Sequence, residues 1–191
     1  MRRCCAPATG SMRRFCTRWS EPRFVCDVHL AKVARYLRLL GFDTLYRHDI
    51  DDDELLALTG CGRVGLTCDR RLQARAPGRI VLLRCEAAER QVQKVAAIFD
   101  LGRYAHPFRR TLCCNRPVAA VPKERACAVV PVATCRWRAG YWKCPKCGKI
   151  YWQGTHAKRM RRKIVELLRY KEKSDEKRAG GKYVESNGGD P

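Results

Sequence analysis

The first legible pattern begins at Phe24, where Phe24, Val25 and Cys26 form a short apolar run closed by Asp27. Beyond it Leu30, Val33, Ala34, Leu37 and Leu40 recur at helical spacing, with Lys32, Arg35 and Arg38 set off that stripe. Gly41 stands where a helix commonly ends on a residue without a Cβ. The same alternation predicts strands over 42–46, 64–67 and 80–83 and helices over 52–58 and 86–99. Strands separated by helices imply crossover connections and a mostly parallel sheet, so the expected class is α/β.

After Asp100 the pattern changes. Residues 101–155 hold five prolines, three of the four tryptophans and six of the thirteen cysteines, without a long helical period. This reads as a small lobe. Residues 157–178 return to helix formers with dense charge, opening on Lys158 and Arg159, and 179–191 form a Gly-rich end. Residues 1–22 carry Arg2, Arg3, Arg13, Arg14 and Arg18 with no acid before Glu21, as a transit peptide would. Their cysteines and missing apolar face argue for a disordered basic leader instead, and against mitochondrial import. The expected division is a disordered leader at 1–22, a main domain at 23–100, a small lobe at 101–156, a basic helix at 157–178 and a disordered tail at 179–191.

Composition narrows the partners. Forty Lys and Arg against nineteen Asp and Glu leave a net charge of +21, which favours a polyanion. No apolar run approaches the ~20 residues that span a bilayer. The odd cysteine count and the lack of a secretory h-region point to a reducing, intracellular setting, nucleus or cytosol, in which Cys144-Pro-Lys-Cys147 binds a metal.

In open parallel sheets ligands bind beyond the carboxyl ends of the strands, and three acidic features fall there. They are Asp27, the run Asp51, Asp52, Asp53, Glu54, and Asp69. Gathered carboxylates suit a hard cation such as Mg²⁺ or Mn²⁺, which activates water and neutralises charge on a phosphodiester. The competing explanation is helix capping, which Asp27, Asp52, Asp53 and Asp69 would all serve.

Taken in order, F-V-C-D-V-H-L-A-K-V-A-R-Y-L-R-L-L-G-F-D-T-L-Y, D-D-E-L-L, G-L-T-C-D-R-R-L and C-P-K-C-G-K-I-Y-W-Q-G-T-H resemble the Mut-seven C-terminal ribonuclease domain over residues 23 to about 160. The resemblance implies a PIN-like (Rossmann-like) nuclease sheet followed by a zinc ribbon. It implies that Asp27, Asp53 and Asp69 hold Mg or Mn and act in catalysis, with Asp43, Asp51 and Asp52 as lesser candidates. Arg35, Arg38, Arg70, Arg71, Trp152, Lys158 and Arg159 are the expected substrate contacts. The family's T-R-D is T-C-D here, with Cys68 at the Arg position.

The family's R-C-x-x-C-N becomes Arg110 to Asn115, with Thr111 where the first cysteine belongs. Cys114, Cys144 and Cys147 remain as zinc ligands. A fourth would be Cys113, which needs an awkward backbone, or Cys127, Cys135 or His156; for Cys113 and Cys127 the alternative is a buried reduced thiol. The expectation is a weakened zinc site, and for His156 a surface or supporting place. Tyr141, Trp142, Tyr151 and Trp152, interleaved with Lys143, Lys146, Lys149 and Lys158, suit single-stranded nucleic acid, although half of these rings are expected to be structural. Two functions follow: a metal-dependent ribonuclease acting on single-stranded RNA, or a non-catalytic RNA-binding module of a truncated Mut-seven-type exonuclease.

Overall fold

The computed structural model describes residues 21–169. The expected leader up to residue 20, the tail, and the predicted helix beyond residue 169 lie outside the described residues.

The main sheet has four parallel strands, β1 (Phe24–Cys26), β2 (Thr44–Tyr46), β3 (Val64–Thr67) and β4 (Ile80–Leu82), in the order β2-β1-β3-β4. The chain starts in the middle, steps to one side, and returns past β1 to the other. The topological switch therefore lies between β1 and β3. Between the strands run α1 (Ala31–Leu39), entered through a 3-10 turn at Val28–Leu30, then α2 (Asp52–Gly60) and α3 (Arg70–Arg75); α4 (Ala88–Phe99) follows β4. Alternation along β1 sorts the core into two layers. Phe24 and Cys26 enter the cluster with Leu37, Leu66 and Val95, and Val25 joins Leu55, Leu72 and Ile80 on the other face. Phe24 meets Phe42 and Phe99 edge-on, with ring centroids 6.0 and 5.6 Å apart.

The stripe predicted on α1 is buried as expected. The second strand starts at Thr44 and not at residue 42, because the Phe42 N–H closes the helix end on the Leu37 carbonyl at 3.0 Å. Arg38 departs from the sequence expectation. Placed off the stripe as a substrate contact, it is 8% exposed and donates to the carbonyls of Thr44 (3.0 Å), Leu112 (3.0 Å) and Cys113 (3.3 Å). Its charge is satisfied by backbone oxygens of two lobes, which corrects the substrate assignment.

After the short α5 (Leu101–Tyr104), the small lobe builds an antiparallel sheet of β5 (Ala119–Val121), β6 (Tyr141–Lys143) and β7 (Ile150–Trp152). Between β5 and β6 stand α6 (Lys123–Cys127) and α7 (Val132–Trp137), joined by a Cys127–Cys135 disulfide. Neither is then a free thiol, which removes both as zinc ligands and corrects the reduced-thiol expectation for Cys127. Tyr141 and Ile150 pack against Ala126 and Val130 of this hairpin.

The lobe meets the main domain at the amino ends of the strands. His106 and Phe108 N–H groups bond the Leu40 and Leu39 carbonyls at 3.0 and 3.1 Å, and Gly41, with φ +104°, leaves room for the His106 carbonyl. Asn115, at φ 54°, accepts from the Thr44 N–H at 3.1 Å and donates to Asp43 at 2.7 Å. The chain then returns through α8 (Thr155–Leu168), whose Ile164 and Leu167 complete the main core. The basic helix is thus half a core element. Glu89 of α4 draws it in by accepting from Tyr36 (2.7 Å) and pairing with Lys32 (3.2 Å) and Lys163 (3.5 Å).

Candidate functional site

Asp27 continues the sheet by one hydrogen bond, its N–H reaching the Leu66 carbonyl at 3.0 Å. Its side chain makes no cap bond to the 3-10 turn that follows, so capping does not consume it. Instead the Thr67 hydroxyl, at the end of β3, donates to Asp27 Oδ2 at 2.6 Å, and the Asp69 N–H donates to the same Thr67 oxygen at 3.0 Å. One hydroxyl thereby ties two acids across the switch between β1 and β3.

Other acids are spent differently. Asp69 also caps α3, accepting from the Arg71 N–H at 2.7 Å, and Asp51 caps α2, accepting from the Glu54 N–H at 2.7 Å. Asp53 is exposed and paired with Arg75 of α3, whose guanidinium lies 3.8 Å from Asp52. Asp43 sits at the opposite sheet edge, gripped by the Arg63 fork at 3.0 and 3.1 Å. Burial alone would raise the Asp43 pKa, but Arg63 and Asn115 hold it below the ordinary carboxylate value. The expected trio is consequently not gathered about one ion: Asp27 and Asp69 are neighbours, and Asp53 turns to Arg75. Two carboxylates still fit Mg²⁺, which is commonly held by one or two with waters and substrate phosphates completing the shell.

Arg70 and Arg71 are exposed beside Asp69. Cys68 lies between the acids and the end of β4, where Gln91 donates to its sulfur at 3.4 Å and to the Arg84 carbonyl at 2.8 Å. Burial, reinforced by Cys85, pushes the Cys68 thiol up to about 11.

Among the described residues the group of three or more potential ligands gathered closely enough for one ion is Cys113, Cys114, Cys144 and Cys147, all Sγ atoms lying within 4.8 Å of one another. Tetrahedral zinc with sulfur at ~2.3 Å sets sulfurs about 3.8 Å apart, and Cys113 and Cys147 stand at 3.6 Å, so the donor set fits. The awkward backbone expected for adjacent ligands does not arise. A turn carries the two cysteines and Asn115 absorbs the reversal in a left-handed conformation, which asparagine tolerates. Cys113 is exposed, not a buried thiol.

Thr111 keeps a role at the position where a ligand was expected. Its buried hydroxyl accepts from the Arg116 N–H at 3.1 Å and lies 3.7 Å from Cys144 Sγ. Burial opposes ionisation of Cys144, but the Cys147 N–H and the Thr111 hydroxyl outweigh it and bring the thiol down to about 6. Thiolate is the form that binds metal. The hydrogen bond from Cys113 pushes Cys114 up to about 12, as expected of clustered thiols sharing protons. Tyr151 faces the quartet with its hydroxyl 3.1 Å from Cys113 Sγ. The asparagine after Cys114 was in view in the sequence, and its αL tolerance was the available signal for this turn; Arg38 and the Thr111 hydroxyl gave none.

A family model for the Mut7-C RNAse domain matches residues 22–164, a span that takes in both sheets, the acidic edge and all four cysteines. The chain belongs to the Mut7-C RNAse domain family. No curated protein and no solved structure matches it. Membership of this family indicates a nuclease or RNA-related function and nucleic acid as partner. Among the described residues no helix of this Mut7-C domain is long and apolar enough to cross a membrane.

Proposed function

We propose that the chain is a metal-dependent ribonuclease that hydrolyses phosphodiester bonds of single-stranded RNA at the strand ends between β1 and β3. The observation that carries this reading is the Asp27–Thr67–Asp69 linkage at the topological switch, where open α/β sheets place their ligands. Mg²⁺ or Mn²⁺, when bound, supplies charge neutralisation at the phosphate and a more acidic water. Thr67 orients Asp27 by donating to Oδ2, so that Oδ1 is the oxygen left for an ion. Asp69 is fixed by its cap to α3, and Arg70 and Arg71 offer positive charge to the phosphate on the same turn. Asp53 would have to part from Arg75 to join them.

The test is cleavage of labelled single-stranded RNA by the full chain with Mn²⁺, with and without EDTA. Asp27→Asn should abolish EDTA-sensitive cleavage with an unchanged circular dichroism spectrum. Retained cleavage would remove Asp27 from the chemistry. A second reading, a non-catalytic RNA-binding module, is favoured by the engagement of Asp53 with Arg75. It predicts RNA binding with no metal-stimulated cleavage by the unmodified chain.

A further inference from the structure

A groove of about 1030 Å³ lies where the small sheet, the end of α1 and the start of α8 face one another, and neither Asp27 nor Asp69 is in its lining. No Asp or Glu lines it, whereas Arg35, Arg109, Arg110, Lys149 and Arg161 do. Arg110 is engaged by Asp43 and Arg109 by Glu21, but Arg35, Lys149 and Arg161 have no carboxylate partner among the described residues. Between these cations lie rings. Trp142 and Tyr151 are register partners on β6 and β7 and so share a face, opposite the one that Tyr141 and Ile150 present to the α6–α7 hairpin. Trp152 and Phe108 border the same space. The sheet thus spends one face on its own core and turns the other, aromatic and basic, to the groove.

We infer that this groove is a second, sequence-tolerant binding site for single-stranded RNA, separate from the acidic edge. The inference rests on the ribonuclease reading only for the choice of RNA as polyanion. Unstacked bases lie on aromatic faces while phosphates meet Lys and Arg, which is the division of labour this lining offers. A duplex keeps its bases stacked and would use only the cations. Arg35 and Leu39 bring the groove up to the carboxyl-terminal half of α1, and Asp27 precedes the start of that helix, so the two sites lie toward its opposite ends. Arg35 is the groove cation on the side nearer Asp27 along α1.

The experiment is an anisotropy titration of a labelled ten-nucleotide oligouridylate with the full chain in EDTA, so that binding is read without cleavage. Trp142→Leu should weaken binding about tenfold and Trp142→Phe should restore most of it. Lys149→Gln combined with Arg161→Gln should lower the slope of log K against log salt by about 1.4. Glu124→Gln, exposed on α6 and outside the groove lining, should bind within about twofold of the wild type. Binding unaltered by the groove substitutions would overturn the proposal, as would equal competition by polyglutamate, which would assign the groove to acidic protein. Mn²⁺-dependent cleavage and its loss in Asp27→Asn are scored separately, so either idea can fail while the other stands.

Discussion

Replacing Arg38 with Met tests whether a buried cation, and not apolar contact, fastens the small lobe to the sheet. The guanidinium donates to Thr44 and Leu112 carbonyls at 3.0 Å each and to Cys113 at 3.3 Å. Hydrogen bonds from a charged donor contribute about 1.5–3 kcal/mol each, and Met keeps the stem's packing while removing all three. Relief of the charge's burial, which lowers the Arg38 pKa, offsets part of the loss. The expected destabilisation is about 3 kcal/mol, or roughly 6–12 °C in Tm for a domain of this size. Urea and thermal unfolding followed by circular dichroism would measure it, with Arg35→Gln, one turn earlier and exposed, as the near-neutral comparison. Because the Cys113 carbonyl is among the anchors, Arg38→Met should also hasten zinc transfer to a chelator. A loss below about 1 kcal/mol, or zinc release at the wild-type rate, would refute the anchoring argument.

The purified chain should carry one zinc by mass spectrometry of the metal, and Thr111→Cys should leave that stoichiometry unchanged, since Cys113 already completes the quartet; chelation should unfold the small lobe. The Tyr36 hydroxyl, then a backbone N–H and Lys32, hold the Glu89 carboxyl down to about 2 from its ordinary 4.5. A depressed carboxylate stabilises above its unfolded value, so this contribution should be full above pH 4.5 and fade as pH falls toward 2. Glu89→Gln should flatten the Tm profile in that window. Gly41→Ala should cost at least about 2 kcal/mol, because φ is +104° and the new Cβ would lie 2.3 Å from the His106 carbonyl oxygen. Gly78→Ala, at φ +81° with open space, should cost only the backbone strain of about 1 kcal/mol.

The stripe Leu30, Val33, Ala34, Leu37, Leu40 was legible because its period is local, and every member is buried. Arg38 defeats the same logic, since what buries it are carbonyls more than seventy residues away. Strand ends could be read, and Asp27 and Asp69 do follow β1 and β3, but the pairing of Asp53 with Arg75 crosses between helices and leaves no trace in spacing. For the cysteines, ligand type was visible and partnership was not. Cys113 sits beside its co-ligand, while Cys127 and Cys135 satisfy each other eight residues apart. At Thr111 the sequence shows a missing ligand, while the fold brings Cys113 into the quartet and sets the Thr111 hydroxyl 3.7 Å from Cys144.

The return of α8 to the main core sets an order on biosynthesis. Leu101 enters that core before the small lobe is made, and Ile164 and Leu167 enter it afterwards. At about 5–20 residues per second, the 66 residues from Leu101 to Leu167 take the ribosome roughly 3–13 s. Through that interval the α4 surface awaiting α8 stays uncovered, and the nascent chain must hold its first cysteine pair while the second is still being polymerised. The quartet is complete at Cys147, seventeen residues before Ile164, so an ion held there would be within reach before α8 closes the core.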